Sequence, residues 1–194
     1  MWSWLYLQIL HLLCYWGTVV VVRRDSRTQI GYCVKNVLMN QLLWGPLVVL
    51  MLGLPSFPTT SLVWFPFQFM GNAIIGDLLF YTVHRTLHVR GLYEKIHQQH
   101  HLYHNPMGCA TFFAHPLEHM LANVFPAVVG PILTQCCFEA WCLWIALITI
   151  NTVLAHSGVL MDTRHELHHL HRRINYGNGL YLLDRLCGSH QRMT

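Results

Sequence analysis

The sequence DLLFYTVHRTLHVRGLYEKIHQQHH, residues 77–101, contains five histidines directly after an apolar stretch. His84 and His88 are four residues apart, so a helix would place both imidazoles on one face, about 5–6 Å apart. The histidines of the segment HQQHH, residues 97–101, lie within an arc of about 100° on a helix. Both spacings predict that the rings converge on bound metal.

A second HxxHH segment, HELHH at residues 165–169, repeats this spacing near the other end of the chain. The pair and the two triplets supply eight imidazoles, whereas a zinc site uses about three or four protein ligands. Two metal ions therefore fit the ligand number better than one, although imidazole alone does not distinguish iron from copper, nickel or zinc. The eight predicted ligands are His84, His88, His97, His100, His101, His165, His168 and His169.

Two further histidines are candidate ligands. His115 shares a predicted helix face with His119 where the chain enters the membrane, and His156 stands at the end of an apolar stretch. A titratable side chain in such a position needs a partner, because unpaired polar groups are costly beside lipid. We therefore add His115 and His156 to the predicted metal ligands.

Two carboxylates are candidate catalytic residues. Asp77 precedes His84 by seven residues, which puts both on one stripe of a helix. Asp77 either orients a ligating imidazole or forms an interhelical hydrogen bond to Asn123 or Asn151, and the spacing leaves both interpretations open. Glu166, within the second HxxHH segment, has the same potential role beside the metal.

The composition excludes an ordinary soluble domain. Charged residues make up 10% of the 194 residues and hydrophobic residues 54%, whereas soluble domains carry about 25% charged residues. The net charge of +4 is spread over short segments and does not form the basic surface of a nucleic-acid-binding protein. The 15 histidines outnumber the 12 lysines and arginines, which again indicates metal binding in a membrane protein.

The apolar stretches predict an all-α integral membrane protein with four to five transmembrane helices. A helix needs about 20 apolar residues to cross a bilayer. The third predicted span is lined by polar residues and should face protein or a cavity. The last two predicted spans form a hairpin that turns at Gln135-Cys136-Cys137. The five predicted spans are residues 2–22, 37–54, 62–83, 116–133 and 138–155.

The lysines and arginines predict the orientation. Cytoplasmic loops of membrane proteins carry an excess of these residues. When the loop after the first span is placed in the cytosol, all 12 cationic residues fall on the cytosolic side. The histidine groups lie on the same side, so the sequence predicts a cytosol-facing, histidine-rich di-metal site.

The segment HELHH also satisfies the pattern H-E-x-x-H of zinc metalloproteases, in which two histidines bind zinc and the glutamate activates water. A membrane protease is therefore an alternative. That interpretation uses only His165, Glu166 and His169 and assigns no role to the other histidine segments.

The three histidine segments, with the sequences around them, resemble the fatty acid hydroxylase / sterol desaturase superfamily of membrane di-iron enzymes. The closest branches are the fatty-acid-hydroxylase-domain-containing proteins and the methyl-sterol monooxygenases. The resemblance covers roughly residues 71–189, so we divide the chain into N-terminal anchor spans, residues 1–70, and a hydroxylase-type domain, residues 71–194. The matching stretches are DLLFYTVHRTLH (77–88), YEKIHQQHH (93–101), AHPLE (114–118), HSG (156–158), HELHH (165–169), NYG (175–177) and DRLCG (184–188).

The resemblance implies an enzyme of the endoplasmic reticulum membrane that holds two iron ions and uses O2 to hydroxylate or desaturate a lipid or sterol. Electrons would come from NAD(P)H through a separate reductase and a b-type cytochrome. Sterol methyl groups, sterol rings, sphingoid bases and acyl chains stay open as substrates. A metal-binding membrane scaffold without catalysis is the alternative from another functional class.

Overall fold

The computed structural model of the protein describes residues 2–22, 27–52, 57–103, 107–159 and 164–191, which contain helices, turns and loops but no β-strand. The all-α prediction is therefore confirmed for these residues. The helices are α1 (Trp2–Val22), α2 (Arg27–Leu52), α3 (Phe65–Leu87), α4 (Arg90–Leu92), α5 (Pro116–Glu118), α6 (Phe125–Leu133), α7 (Phe138–His156), α8 (Arg164–His171) and α9 (Leu182–Leu186).

By length and composition, three helical stretches in the described part of the chain can cross a membrane: Ser3–Val22, Leu62–Leu87 and Phe138–His156. They correspond to the first, third and fifth predicted spans, and they identify a membrane protein. The second predicted span overlaps α2, which already begins at Arg27 and is not among the three. Residues 53 and 54, at the end of that prediction, lie outside the described residues.

The fourth predicted span is helical but irregular. Helix α5 continues into a π-helical segment, His119–Val124, and then into α6, which contains Pro131. Proline removes a backbone hydrogen bond and π-helical turns often occur at functional sites. Because this stretch is not one regular helix and is not among the three stretches able to cross a membrane, the fourth span stays a prediction. The turn of the hairpin is confirmed, since α6 ends at Leu133 and α7 begins at Phe138.

The polar face of α3 packs against protein, as the sequence predicts. Gln68, Asn72 and Asp77 are all buried. The Gln68 amide donates to the carbonyl oxygens of Thr134 and Gln135, each at 3.2 Å, at the end of α6. These bonds join the polar face of α3 to the turn of the hairpin. They give the Gln68 amide and the two carbonyl groups hydrogen-bond partners that lipid would not provide.

Helices α3 and α6 approach each other closely at Gly130. A Cβ atom added at Gly130 would lie 3.0 Å from the Cα and 3.2 Å from the Cβ of Asn72. Small residues permit such close contact between membrane helices. The contact fixes α6 against the helix that carries the first two site histidines.

We expect Gly130→Ala to lower the free energy of unfolding by about 1–3 kcal/mol, because the new methyl group overpacks a backbone contact. Gly17→Ala is the matched control, since no atom lies within 4 Å of a Cβ at Gly17. There, alanine should stabilise the helix by up to about 1 kcal/mol. Thermal unfolding in detergent measures both effects, and equal melting temperatures for the two variants would contradict the packing described.

Candidate metal centre

Nine histidines form two adjacent groups in which the potential ligand atoms of each group lie within 4.8 Å of one another. All nine side chains are buried or half-buried. The first group contains His84, His88, His97, His101 and His168. The second group contains His100, His156, His165 and His169.

His97 lies at the centre of the first group. Its Nε2 is 3.0 Å from the Nε2 atoms of His84, His88 and His101. A ring nitrogen of a neutral imidazole either donates one hydrogen bond or accepts one in the ring plane. Three nitrogen neighbours at this distance therefore exceed what hydrogen bonding among imidazoles explains.

A shared cation explains the distances directly. A metal–imidazole bond is about 2.1 Å long, so two ligands at right angles stand about 3.0 Å apart. His168 completes the set, with its Nε2 3.1 Å from that of His88 and 3.3 Å from that of His101. The donor set of the first group thus fits a metal ion.

The second group is built in the same way. The Nε2 atoms of His156 and His165 are 2.8 Å apart, and those of His165 and His169 are 3.2 Å apart. The rings of His101 and His169 lie 4.6 Å apart, so the two groups are neighbours. Their arrangement suits two metal ions in one centre.

Each HxxHH segment serves both groups, which corrects the prediction that its three rings face the same way. In the second segment, His165 and His169 join the second group and His168 joins the first. On an α-helix the residue at i+3 lies about 60° to one side of residue i and the residue at i+4 about 40° to the other side. The rings therefore diverge enough to reach two metal ions.

In the first HxxHH segment the assignment to the two groups is reversed. His97 and His101 belong to the first group and His100 to the second. This segment is a π-helical turn followed by a 3-10 turn rather than an α-helix. Each segment thus contributes two histidines to one group and its i+3 histidine to the other, which links the two groups.

Backbone carbonyl groups orient two ligands of the first group. The Nδ1 of His84 lies 2.7 Å from the Tyr176 carbonyl oxygen, and the Nδ1 of His168 lies 2.7 Å from the Ile174 carbonyl oxygen. A carbonyl accepts only, so each Nδ1 carries the hydrogen and donates. The lone pair of each Nε2 then points into the group, as a metal ligand requires.

Two further candidate ligands contact orienting groups, one on the same helix and the other on α5. The Nδ1 of His156 donates to the Thr152 carbonyl oxygen at 2.8 Å. The Nδ1 of His97 lies 2.8 Å from Oε1 of the buried Glu118. A carboxyl group in this position can orient the imidazole.

Burial keeps the imidazoles neutral. Removal from water lowers the pKa of His88 to about 3 and the pKa of His168 to about 3, with neighbouring histidines adding to the effect. The same cause lowers the pKa of His165 and His169. Metal binding requires the deprotonated ring nitrogen, so the site is prepared for a cation rather than for protons.

Asp77 acts on the backbone rather than on an imidazole. Its two carboxylate oxygens accept hydrogen bonds from the backbone N–H groups of Tyr181 and Leu182, each at 2.9 Å, where α9 begins. Among the described residues it bonds neither a histidine nor Asn123 or Asn151. Both interpretations offered for Asp77 are therefore wrong in their choice of partner.

Two other candidates lie apart from the histidine groups. His115 belongs to neither group, and its Nδ1 accepts a hydrogen bond from the Leu117 backbone N–H at 3.2 Å, which caps α5. Glu166 is half-buried on α8 and makes no hydrogen bond with the described part of the chain. His104 lies outside the described residues.

Asp184 is a residue whose role the sequence did not predict. Its carboxylate accepts from the backbone N–H groups of Tyr176 and Gly177, at 2.9 and 2.6 Å, and from the Ser189 hydroxyl at 2.7 Å. Gly177 has no room for a side chain, since a Cβ would lie 2.8 Å from Asp184 Oδ2. Asp184 thereby fixes the loop whose Tyr176 carbonyl orients His84.

A largely apolar cavity of about 510 Å³ lies beside the centre. Helices α1, α3, α6 and α7 supply most of its walls. Phe80 separates the cavity from the first group, with its ring 5.0 Å from that of His84. A site of this size and polarity accommodates hydrocarbon next to the histidines.

A helical membrane protein with paired histidine groups beside an apolar cavity has the features of a membrane metalloenzyme. The family comparison identifies it further: the chain belongs to the fatty acid hydroxylase family, which it matches over residues 69–189. This match confirms the resemblance seen in the sequence. No solved structure matches the chain.

Named relatives fall into several branches of the family. The chain is 35% identical to "Fatty acid hydroxylase domain-containing protein 2" of Macaca fascicularis over 65% of its length and 39% of that protein's. It is 40% identical to "Methylsterol monooxygenase 2-1" of Arabidopsis thaliana, over 53% and 38% of the two chains. It is 42% identical to "Very-long-chain aldehyde decarbonylase GL1-11" of Oryza sativa subsp. indica, over 44% and 32%. The matched part thus spans about two fifths or less of these relatives.

We expect Asp184→Asn to lower the melting temperature and to weaken metal binding about 10- to 100-fold. The amide NH2 group of asparagine would face a backbone N–H, so that one hydrogen bond to the loop is lost. The Tyr176 carbonyl that orients His84 would then be less firmly held. Glu94→Gln is the control, since Glu94 pairs with Arg90 on the exposed surface at 3.4 Å and contributes at most about 1 kcal/mol. Metal titration of the purified variants tests this, and equal affinities would contradict the role given to Asp184.

Proposed function

We propose that this protein is a membrane-bound di-iron oxidoreductase that uses O2 and electrons from a separate donor to hydroxylate or desaturate a lipid. The observation that supports it is the pair of buried histidine groups beside an apolar cavity. The relatives named as hydroxylase, sterol monooxygenase and aldehyde decarbonylase point to oxidative lipid chemistry.

The five imidazoles of the first group would hold one iron ion and the four of the second group the other. Neutral imidazole is a suitable ligand for iron. When bound, the two ions would supply the activation of O2 and the oxidation of a C–H bond. Hydroxylation would consume O2, two electrons and two protons and yield a hydroxyl group on the lipid and one water.

The chain's own residues would bind the substrate and keep the centre in shape. The apolar walls of the cavity bind hydrocarbon and exclude water, which strengthens the polar interactions of the centre. Tyr176 and Ile174 orient ligands through their carbonyl groups, and Glu118 orients His97. Asp77 would act as a positioning residue through α9, and Glu166, which follows His165 in the sequence, would serve in proton transfer.

The cellular setting is part of the same proposal. Residues 1–70 would anchor the chain, and residues 71–194 would form the hydroxylase-type domain in the endoplasmic reticulum membrane. The centre would face the cytosol, where the cationic residues lie by the sequence analysis. A b-type cytochrome and its NAD(P)H-dependent reductase would deliver the electrons, guided by the basic face.

The protease alternative fits the geometry less well. A catalytic zinc ion has about three protein ligands and one open position. His165 and His169 share their group with His100 and His156, and His168 belongs to the neighbouring group. A hydrolytic site built on residues 165–169 would leave the first group without a function.

We expect about two iron ions per chain when the protein is purified anaerobically in detergent. His168→Ala should reduce the content through the first group and His100→Ala through the second, because each removes a buried ligand. His171→Ala is the matched control, as His171 is exposed on the same helix as His168. His115→Ala tests the remaining predicted ligand and should keep the iron, since His115 lies outside both groups.

Metal analysis is then combined with O2 consumption in the presence of a reduced cytochrome, its reductase and lipid extracts. Iron-dependent O2 consumption with oxidised lipid supports the proposal. Two bound metal ions without any oxidation would favour the scaffold. One zinc ion that survives His100→Ala but not His169→Ala, together with peptide cleavage, would favour the protease.

A further inference from the structure

The cavity wall contains a polar cluster formed by Trp16 and His11 of α1, Gln41 of α2 and Thr149 of α7. His11, Gln41 and Thr149 line the cavity directly. The Trp16 Nε1 lies 3.2 Å from Gln41 Oε1, the Gln41 Nε2 lies 3.3 Å from His11 Nε2, and the His11 Nδ1 lies 3.0 Å from Thr149 Oγ1. We call this set the α1–α7 polar cluster.

The chemistry of the side chains fixes the direction of every bond in the cluster. The indole N–H of Trp16 only donates, so the oxygen of the Gln41 amide must face it. The amide nitrogen of Gln41 then donates to the Nε2 of His11. Since this ring nitrogen accepts, the neutral imidazole carries its hydrogen on Nδ1 and donates it to Thr149.

Thr149 therefore accepts from His11 and keeps its own hydroxyl hydrogen for another partner. Other helical threonines, Thr18, Thr82 and Thr152, donate to the carbonyl oxygen four residues earlier at 2.6–2.7 Å. Thr149 has no such bond among the described residues, although it is 3% exposed. A buried hydroxyl hydrogen without an acceptor is costly, and the cavity is where an acceptor would lie.

His119 adds a second polar group to the same cavity. Its side chain is 3% exposed, and its ring lies 4.8 Å from that of Phe112, which also lines the cavity. Its Nδ1 is buried and has no hydrogen-bond partner in the described part of the chain. The Thr149 hydroxyl and the His119 imidazole are thus polar groups in the lining of a largely apolar cavity, and they favour a ligand that carries a polar group.

The charge of the lining residues restricts that ligand. Among the described residues that line the cavity, no lysine or arginine occurs, and Asp77 is the one acidic residue. An ionised carboxylate or phosphate would be buried there without a counter-ion, at a large free-energy cost. The polar group of the ligand is therefore neutral.

The cluster is separate from the histidine groups. Thr149 and His156 lie on the same side of α7, seven residues apart, which is about 10 Å along the helix axis. The cavity that begins at Thr149 is lined mainly by apolar side chains. A lipid held at Thr149 would thus extend its hydrocarbon part towards the metal centre.

We propose that the α1–α7 polar cluster recognises the hydroxyl group of a neutral lipid alcohol, with Thr149 as donor to the lipid oxygen. His119 then provides a second contact for the hydroxyl group. The proposal rests on the proposed function for the fate of the lipid, but binding itself requires no oxidation. It makes Thr149 a specificity-determining residue and His11, Gln41 and Trp16 positioning residues.

Binding of radiolabelled hexadecanol and radiolabelled cholesterol to the purified, metal-loaded protein, without any electron donor, tests the proposal. We expect at least one of the two alcohols to bind about tenfold more tightly than hexadecane and than hexadecanoate at mildly alkaline pH, because one buried hydrogen bond contributes about that factor. The two alcohols distinguish a chain alcohol from a sterol.

Thr149→Val should remove this preference while hexadecane binding and metal content stay unchanged, since valine has the same shape without the hydroxyl. Thr152→Val is the matched control: Thr152 lines the same cavity, but its hydroxyl already donates to the Ile148 carbonyl. The preference for the alcohol should persist there. Trp16→Phe should weaken the preference in part, because the Gln41 amide could then rotate.

Three results would overturn the proposal: neither alcohol binds better than hexadecane, hexadecanoate binds best, or Thr149→Val and Thr152→Val behave alike. The experiment is independent of the proposed function, as it involves no turnover. Alcohol binding by a protein that oxidises no lipid would contradict the proposed oxidoreductase function and still support the role given to the polar cluster. Lipid oxidation without any preference for alcohols would do the opposite.

Discussion

Nine imidazoles are packed together, and neighbouring ring nitrogens of eight of them lie about 3 Å apart; this crowding is the constraint on which the rest of the structure depends. Such an arrangement is unfavourable until a cation lies between the lone pairs. Protonation cannot relieve it, because burial disfavours the charged ring. The surrounding structure therefore has to force the rings together, and hydrogen bonds to the outer nitrogens of His84, His156 and His168 contribute to this.

These three hydrogen bonds end on backbone carbonyl groups, and the one between His84 and Tyr176 joins residues far apart in the sequence. The Tyr176 carbonyl that orients His84 is held in place because Asp184 accepts hydrogen bonds from the backbone N–H groups of Tyr176 and Gly177. Asp77 of α3 holds the start of α9 through its bond to the Tyr181 N–H. The acidic side chains thus act on the loops around the histidine groups rather than on the imidazoles themselves. Their loss would disturb the centre by freeing a loop rather than by removing a ligand.

The sequence predicted the parts of the site that depend on local spacing. His84 with His88, and both HxxHH segments, could be recognised because their spacing keeps the rings within about 100° of one another on a helix. The division of each histidine triplet between two groups could not be predicted from the sequence, because it depends on how α8 packs against residues 97–101. The partners of Asp77 were missed for the same reason: hydrogen bonds to backbone groups 104 and 105 residues away leave no sequence pattern.

Helix α7 joins the two functional parts of the molecule. It ends in the candidate ligand His156, and two turns earlier it presents Thr149 to the cavity, where α1 and α2 complete the polar cluster. Helices α1 and α2 lie outside residues 69–189, the part that matches the family. Changes in α1 or α2 can therefore alter the polar end of the cavity without touching a metal ligand. This separation would allow one metal centre to serve several lipid classes, with substrate choice encoded in the helices that precede it.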